Sequence, residues 1–522
     1  MRQTYDVIIA GAGPVGLFLA CDLALARASV LVLERDITPS SPWKRMPFGR
    51  RGMNMQANEA FHRRGLFRDV VEPQYQLSLF QKTDGFQFAG HFAGLGLNAN
   101  RLDLDRYKHV LSGPALLPVP TTLERIESTL AARAESLGAT IIRGAGFSEV
   151  SAEDEKGVTV TAGDNQTFRG RWLVGCDGGR SLVRKAAGIH LVGTEPQFTG
   201  YIVQCEYDDP SKLQPDMNLT ENGVYIYDPE VLYIADFDGG AYDRSQELTL
   251  DHIQRVLRRI SGVPDITITK LNLASSFTDR CKQAVTYRRD RVLLAGDAAH
   301  IHSPLGAQGL NLGIGDAINL GWKLGATVQR EKQNPGDWDR NMALLNTYEM
   351  ERKPVGERVL DWSRAQVSSL RPGPHGTATY ELFKELLNTV DGTNIFIDRL
   401  WGLTQRYASS GTDSAHLHDA VGRSAPDLEF DDGSRLGQKL ASGKGLLISL
   451  AKQTGSLQLL LTGSSSSRLQ EVIDYVELGA KDKCGLQALL VRPDGVVAWA
   501  ADEGNELDLE ALATALDYWF GR

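Results

Sequence analysis

Residues 5–34, YDVIIAGAGPVGLFLACDLALARASVLVLE, decide how the chain begins. Tyr5-Asp6-Val7-Ile8-Ile9-Ala10 is a short β-rich apolar run, as a parallel strand buried on both faces should be. Gly11-Ala12-Gly13-Pro14-Val15-Gly16 then turns the chain into a helix from about Pro14 to Arg27, and Ser29 to Leu33 is the next strand. The G-x-G-x-x-G spacing has a physical reason. A pyrophosphate must touch backbone N–H groups at the helix N-terminus, and any Cβ there would block it. Glu34, with Arg35 beside it, closes the second strand 18 residues after Gly16, where an acid accepts hydrogen bonds from a ribose diol. A bare glycine motif is weak; strand, turn, helix, strand and acid in register predict a dinucleotide-binding βαβ start.

Outward from this stretch, the chain has 522 residues, enough for two to four domains. An apolar share of 42% and a charged share of 23% exclude wholesale disorder. A formal net charge of -9 supplies no basic field for a polyanion, which argues against a nucleic-acid partner. Five scattered cysteines (Cys21, Cys176, Cys205, Cys281, Cys484) form no C-x-x-C and no even framework, the usage of a reducing compartment. The uncharged run from Val7 to Cys21 is 15 residues, short of the ~20 a spanning helix needs, and three glycines and a proline interrupt it. It reads as a buried strand and a helix start, so no membrane partner is expected and the expected location is cytoplasmic.

Further along, residues 122–137 read as an amphipathic helix and Thr140-Ile141-Ile142 as a strand. Val158 to Thr161 and Trp172 to Val174 predict antiparallel strands leading to another buried one. Val224 to Tyr227 and Leu232 to Ile234 are strand-like, with a helix at Leu250 to Ile260. After Arg291 to Ala295 the chain turns helical for a long way, and Ala408 to Ser414 reads as a linker. The tail alternates strands at Leu446 to Leu450, Leu457 to Leu461 and Gln487 to Val491 with a helix from Leu507 to Trp519. Ser464 to Ser467 reads as a loop.

Two more motifs combine glycine with an acid. Leu173-Val174-Gly175-Cys176-Asp177-Gly178-Gly179-Arg180-Ser181 ends a strand; alone, its Asp-Gly pair is usually a turn. Val292-Leu293-Leu294-Ala295-Gly296-Asp297-Ala298-Ala299-His300 ends another, followed by Ser303-Pro304-Leu305-Gly306-Ala307-Gln308-Gly309-Leu310-Asn311. An acid at a strand end can bind a polyol hydroxyl. The glycine loop beyond it starts a helix, about 309–327, whose N–H groups stabilise negative charge. No second G-x-G-x-x-G in a strand–helix setting occurs, so one dinucleotide is expected to stay bound while any nicotinamide visits. His300 and His302, beside the loop, read more readily as structural than as catalytic. Neither this pair nor His416 and His418 has partners at metal-ligand spacing, so no metal is expected. Tyr225, Tyr227 and Tyr233 are candidates for cavity lining or for ordinary packing.

The three motifs in this order resemble the FAD-binding aromatic hydroxylases, the single-component class that includes p-hydroxybenzoate hydroxylase and phenol hydroxylase. Gly296 to Leu324 is most similar to the polyketide hydroxylases of actinomycete aromatic antibiotics, and Tyr348 to Val355 resembles the segment that follows in them. Ala425 to Leu428 and Val491 to Trp499 resemble their thioredoxin-like tail. The resemblance implies an α/β fold in three parts. An interrupted, Rossmann-like FAD-binding domain would take 1–80, 101–195 and 286–365. A mixed β-sheet substrate domain would take 81–100, 196–285 and 366–407, and a thioredoxin-like C-terminal domain 415–522.

By the same resemblance, Gly11, Gly13 and Gly16, with Pro14 and Val15 in the turn, would hold the FAD pyrophosphate. Glu34, with Arg35 adjoining, would hold the adenosine ribose. Gly296 and Asp297 would serve the ribityl or pyrophosphate side, and Pro304 would sit beside the flavin ring. The backbone from Leu305 through Gly306, Ala307, Gln308 and Gly309, continued by Leu310 and Asn311, would face the pyrimidine edge. Asp177 and Gly178 match a motif associated with both FAD and NADPH. An arginine near the FAD phosphates is matched best by Arg51 and next by Arg45. A glutamine often seen before the helix at 122 is replaced by Thr121 or Pro120.

The implied reaction reduces FAD with NADPH or NADH, captures O2 as a flavin hydroperoxide and passes the distal oxygen to an electron-rich, polycyclic phenol. A Baeyer–Villiger or ring-opening oxygenase is the alternative on this scaffold, and a non-catalytic FAD-carrying binding or assembly protein is another. No residue is named as the catalytic base. The expected partner is a small aromatic molecule, with the chain a monomer or homodimer. The tail lacks the paired cysteines of a working thioredoxin, and its expected job is packing or assembly.

Overall fold

The computed structural model describes residues 4–408, 417–451, 455–462 and 467–521. Residues 409–414 of the expected linker, His416 and residues 464–466 lie outside the described residues.

The opening stretch folds as its pattern dictates. β1 (Thr4–Ala10) and β2 (Val30–Glu34) flank α1 (Pro14–Leu25), whose proline stands in the first turn, where a missing N–H costs nothing. α2 (Leu123–Ser136) is capped by the Thr122 hydroxyl, which accepts the Arg125 N–H, and leads to β3 (Thr140–Arg143). With β4 (Gln166–Gly175) and β5 (Val292–Leu294) these form a parallel sheet of order β5-β4-β1-β2-β3. Val7, Ile8, Ile9, Leu31 and Val32 are fully buried, as a sheet covered on both faces requires. From β1 the chain goes to β2 on one side and later returns to β4 on the other. The strand order therefore reverses between β1 and β4, and ligands of such sheets bind at the carboxyl ends beside that reversal.

Two long helices follow the third motif. α3 (Gln308–Gln333) packs on α1, and α4 (Trp338–Leu370) packs on α3.

A second sheet is antiparallel, in the order Asp216–Leu219, Gly223–Asp228, Val231–Asp236, Thr199–Tyr207, Ile268–Thr278. The helix Leu250–Ser261 covers one face, with Ile253, Leu257 and Ile260 in one apolar cluster with Tyr201, Leu232 and Ile234. In the C-terminal sheet the order is Ile473–Glu477, Gly445–Ser449, Leu486–Val491, Val497–Asp502, a parallel pair extended by an antiparallel hairpin. With the helix Leu509–Phe520 this has the strand order of a thioredoxin-like unit.

The expected α/β class is found, with two local corrections. Leu457 to Leu461, read as a strand, lies in the helix Gly455–Thr462, because a short apolar run carries no decisive period. Ser467, read as loop, opens the short helix Ser467–Val472. Val7 to Cys21 is the expected strand and helix start, and no helix among the described residues is long and apolar enough to cross a membrane.

Candidate functional site

The three motifs end adjacent strands and meet at the carboxyl edge of the parallel sheet. Gly11, at φ +105°, lies so close to the second motif that a Cβ would stand 2.4 Å from the Cys176 carbonyl oxygen. A Cβ on Gly16 would stand 2.1 Å from the Gly11 oxygen. Both glycines are therefore fixed by the protein's own packing. Gly13 differs: a Cβ there would meet nothing within 4 Å. Its lack of a side chain answers to no protein neighbour, and the open space lies at the start of α1. The Glu34 carboxylate accepts the N–H of Ala12 at 2.7 Å and of Asp36 at 2.8 Å, fastening the turn to the end of β2. Arg35 points into solvent beside Asp36, 3.5 Å away.

At the second motif, one Asp177 oxygen accepts the N–H groups of Leu182 and Val183, while Oδ1 is buried without a hydrogen-bond partner among the described residues. Gly178 is left-handed, φ +78°, with open space where its Cβ would be. In the third motif Gly296, φ +62°, packs so closely on Val15 that a Cβ would lie 3.0 Å from its methyl. Its N–H donates to Asp316, which also takes His300 Nε2 at 2.6 Å and Arg352 Nε at 2.8 Å, all out of solvent. Burial alone would raise the Asp316 carboxyl, but His300 and Arg352 hold it below its ordinary value. His300 thus belongs to the scaffold beneath the loop.

His302 has a different environment. Its Nδ1 lies 2.8 Å from the Ser303 carbonyl, which assigns the proton to that nitrogen, and Nε2 is buried without a partner among the described residues. Burial lowers its pKa despite the hydrogen bond and Asp297, so the ring is neutral and Nε2 is an open acceptor. A Cβ on Gly309 would stand 3.5 Å from it.

An antiparallel ribbon, Arg50–Met53 with Val119–Thr122, sets Arg51 opposite Thr121. Burial lowers the pKa of Arg51, and Tyr233, Asp297 and Glu127 are its electrostatic neighbours. Arg45 instead pairs with Glu124 of α2 at 2.8 Å. Arg51 donates Nη1 to the carbonyls of Phe48 and Arg50 and is the candidate that shares an electrostatic neighbourhood with Asp297. Thr121 is fully buried and donates its hydroxyl to the Val70 carbonyl, so its side chain faces the core. Pro120 sits opposite Gly52.

The loop into α3 is tied down at several points. Gly306 is left-handed, and a Cβ on it would strike the Gln366 amide at 2.5 Å. Ala307 holds φ +53°, a conformation that costs a non-glycine residue about 1 kcal/mol. Gln308 donates to the Gly306 carbonyl. Asn311 accepts the Asn54 N–H at 2.9 Å and donates to the carbonyls of Gly52 and Ala307. Leu310 packs against the main core, whereas Pro304 and Asp297 are exposed. Gln366 accepts the N–H of Ala93, in the turn of the hairpin Phe88–Phe92/Leu95–Asn98. Sequence reading passed over Asn54, Asp316, Arg352 and Gln366, which are single polar residues with no motif spacing of their own.

The three candidate tyrosines separate by strand face. Tyr225 is buried under the helix Leu250–Ser261, its hydroxyl accepting the Gln214 N–H, and Tyr227 packs on the same side against Tyr207. Tyr233 points to the opposite face between its cross-strand neighbours Ile202 and Ile226. Burial outweighs the nearby Arg51 charge and keeps its phenol pKa above the usual value, so it is a neutral hydrogen-bond donor.

This arrangement fits FAD. The open space at Gly13, the unpartnered Asp177 Oδ1 and His302 Nε2, and the first-turn N–H groups of α1 and α3 suit a molecule with a diphosphate and a hydrogen-bonding ring. Residues 4–363 match the FAD binding domain family, and residues 418–522 match the aromatic-ring hydroxylase C-terminal family. The chain belongs to the FAD-dependent aromatic-ring hydroxylases, and it is a flavin monooxygenase. It is 47% identical to a monooxygenase of Claviceps purpurea over 515 residues, covering 98% of this chain and 97% of that one. It is 35% identical to the 12-dehydrotetracycline 5-monooxygenase/anhydrotetracycline 6-monooxygenase of Streptomyces rimosus, covering 99% of each. Among solved structures, OxyS anhydrotetracycline hydroxylase from Streptomyces rimosus superposes with a TM-score of 0.81 at 33% identity, covering 100% of both chains.

Proposed function

We propose that the chain hydroxylates a polycyclic phenol of the aromatic polyketide kind, with NAD(P)H and O2 as co-substrates, in a reducing cytoplasm. The observation that carries this reading is that the three glycine–acid motifs end adjacent strands of one parallel sheet, with Tyr233 of the second sheet and Asp297 both within electrostatic reach of Arg51. Relatives named as monooxygenases or hydroxylases of 12-dehydrotetracycline and anhydrotetracycline support the substrate class. FAD, when bound, supplies reductive activation of O2.

The chain's own residues hold and orient. Gly11, Gly13 and Gly16 with the α1 N-terminus would take the diphosphate, Glu34 the ribose, and the Asp177–Gly178 turn and Asp297 the side between ring and phosphates. The loop 304–311 would hold the ring edge, with the Asn311 and Gln366 bonds keeping it in place. Tyr233 would donate to an oxygen of the aromatic substrate, and the apolar Ile202 and Ile226 beside it would exclude water. In this reading residues 1–80, 101–195 and 286–365 serve the cofactor and the second sheet serves the substrate.

The test is NADPH and NADH oxidation by the FAD-loaded protein across a panel of polyphenols, with product masses under isotopically labelled dioxygen. One labelled oxygen on a ring carbon supports hydroxylation. Insertion of that oxygen between two carbons would make the protein a Baeyer–Villiger oxygenase, and no substrate-stimulated oxidation would overturn the reading.

A further inference from the structure

A cavity of about 160 Å³, lined by no residue of the three motifs, lies where the segment 106–116, the helix Met55–His62 and the C-terminal unit meet. Met55, Val110, Leu116 and Leu403 give it an apolar wall, and His109 and Asp419 stand on its polar side. His109 is 6% exposed, and neither of its ring nitrogens has a hydrogen-bond partner among the described residues. Leaving a buried polar atom unmade costs about 1–3 kcal/mol, so two open nitrogens on one ring ask for an occupant. The nearest carboxylate oxygen to Nε2, on Asp419, is 3.7 Å away, beyond direct hydrogen bonding.

The surrounding charges select the kind of occupant. Asp419 is paired with Arg423 at 3.0 Å, Glu59 with Arg63 at 3.2 Å, and Asp427 with His62 at 3.3 Å. Among the lining cations, Arg106 pairs with Asp391 and Lys108 with Asp502. No net charge waits for a counter-ion. Burial, reinforced by Lys108, lowers the His109 pKa, so the ring is neutral and offers one donor and one acceptor. A hydroxyl suits whichever of these nitrogens faces the cavity, since it accepts from the N–H or donates to the bare nitrogen. A carboxylate only accepts and would face Asp419; a hydrocarbon would leave the nitrogens unpaired. In size the cavity is close to the roughly 150 Å³ space that holds one benzene ring in an engineered protein core.

We propose that this cavity is a binding site for a neutral monocyclic phenol, whose hydroxyl bonds to His109 while its ring lies on Met55, Leu116 and Leu403. The site is separate from the flavin loop and does not depend on the reaction assigned above. Met55 follows Asn54, the residue that holds Asn311, so a ring seated here braces the helix behind the flavin loop.

The experiment uses the full-length, FAD-loaded protein. Crystals soaked in 4-bromophenol are expected to show anomalous bromine density in the cavity, with the phenol oxygen within hydrogen-bond distance of the His109 ring. In calorimetry with phenol, His109→Phe is expected to weaken this site at least tenfold, and Leu116→Trp, which fills the cavity from its apolar wall, to abolish it. FAD content and melting temperature show whether each variant is folded. Phenol bound at the flavin is recognised by its change in flavin absorbance, which both variants retain. Absence of bromine density in the cavity would overturn the proposal. So would phenol binding unchanged in both variants, or benzoate or cyclohexanol binding as tightly as phenol.

Discussion

Glu351 receives both terminal nitrogens of Arg492, at 2.6 and 2.9 Å, in a place closed to solvent. The pair joins α4 to the C-terminal unit. Arg492 also lies over the Trp519 ring at 4.2 Å and donates to Asp494 at 3.0 Å, while Lys323 of α3 donates to Glu351 at 2.6 Å. The next residue, Arg352, holds Asp316, and Asp316 holds the Gly296 N–H. The thioredoxin-like unit is thereby tied, bond by bond, to the third motif.

Breaking one partner of such a pair leaves a charge buried and uncompensated, at a cost of about 3–5 kcal/mol. Arg492→Lys cannot reproduce the two-pronged contact or the stacking on Trp519. It is expected to lower the melting temperature and speed FAD loss, measured by thermal unfolding and by the fluorescence of released flavin.

The same pair gives a pH dependence. Burial alone would raise the Glu351 carboxyl, but Arg492 and Lys323 outweigh it and hold it at about 2, against an ordinary 4.5. A carboxyl with a depressed folded pKa stabilises the fold above the unfolded value, and that contribution is lost as pH falls through the folded value. The window is therefore about pH 4.5 down to about 2. Over it the wild type is expected to lose about 3 kcal/mol that Glu351→Gln, already weakened, does not lose. Urea unfolding at stepped pH values measures the difference in slope.

Gly13 and Gly16 stand three residues apart and are expected to fail differently. Gly16→Ala places a Cβ against the Gly11 carbonyl, so the apoprotein should be destabilised. Gly13→Ala meets only open space; apoprotein stability should change by less than about 0.5 kcal/mol. Its FAD affinity should nevertheless fall at least tenfold, as read by flavin titration.

Ala307→Gly removes a methyl from a left-handed position, and the folded state should gain about 1 kcal/mol of relieved strain, offset in part by the freer unfolded chain. A small rise in melting temperature with FAD retained is the expected result.

Tyr233→Phe removes a hydroxyl on the Arg51 side of the second sheet, whereas Tyr225→Phe removes one bonded to the Gln214 N–H on the helix side. The first should raise KM or uncouple NADPH oxidation from product formation with stability nearly unchanged. The second should cost stability, about 1 kcal/mol, and leave steady-state kinetics alone.

Much of this was legible in the sequence where local pattern and chemistry coincide. The glycine bend at 11–16, Asp177 and Asp297 each follow a short apolar run that a glycine cuts off, so their place at a strand end could be read directly. The run at Leu457–Leu461 misled because five apolar residues fit either period. Asn54, Gln366 and Arg352 could not be read, since what they do is set by neighbours far along the chain; Asn54 meets Asn311 257 residues away. The resemblance already ranked Arg51 ahead of Arg45; what it lacked was the Arg50–Met53 ribbon and the Arg45–Glu124 pair that give the ranking a physical setting.

The topology of the parallel sheet also orders events in time. As the polypeptide leaves the ribosome, β1 finds β2 almost at once but must wait for residues 166–175 to cover its other edge, and β4 in turn waits for Val292–Leu294. The nascent chain therefore carries its nucleotide-binding bend with one flank bare through the first third of translation, and the outer edge of β4 stays open through more than half. The bonds that tie the third motif to the C-terminal unit close last, when Arg492 has emerged and met Glu351.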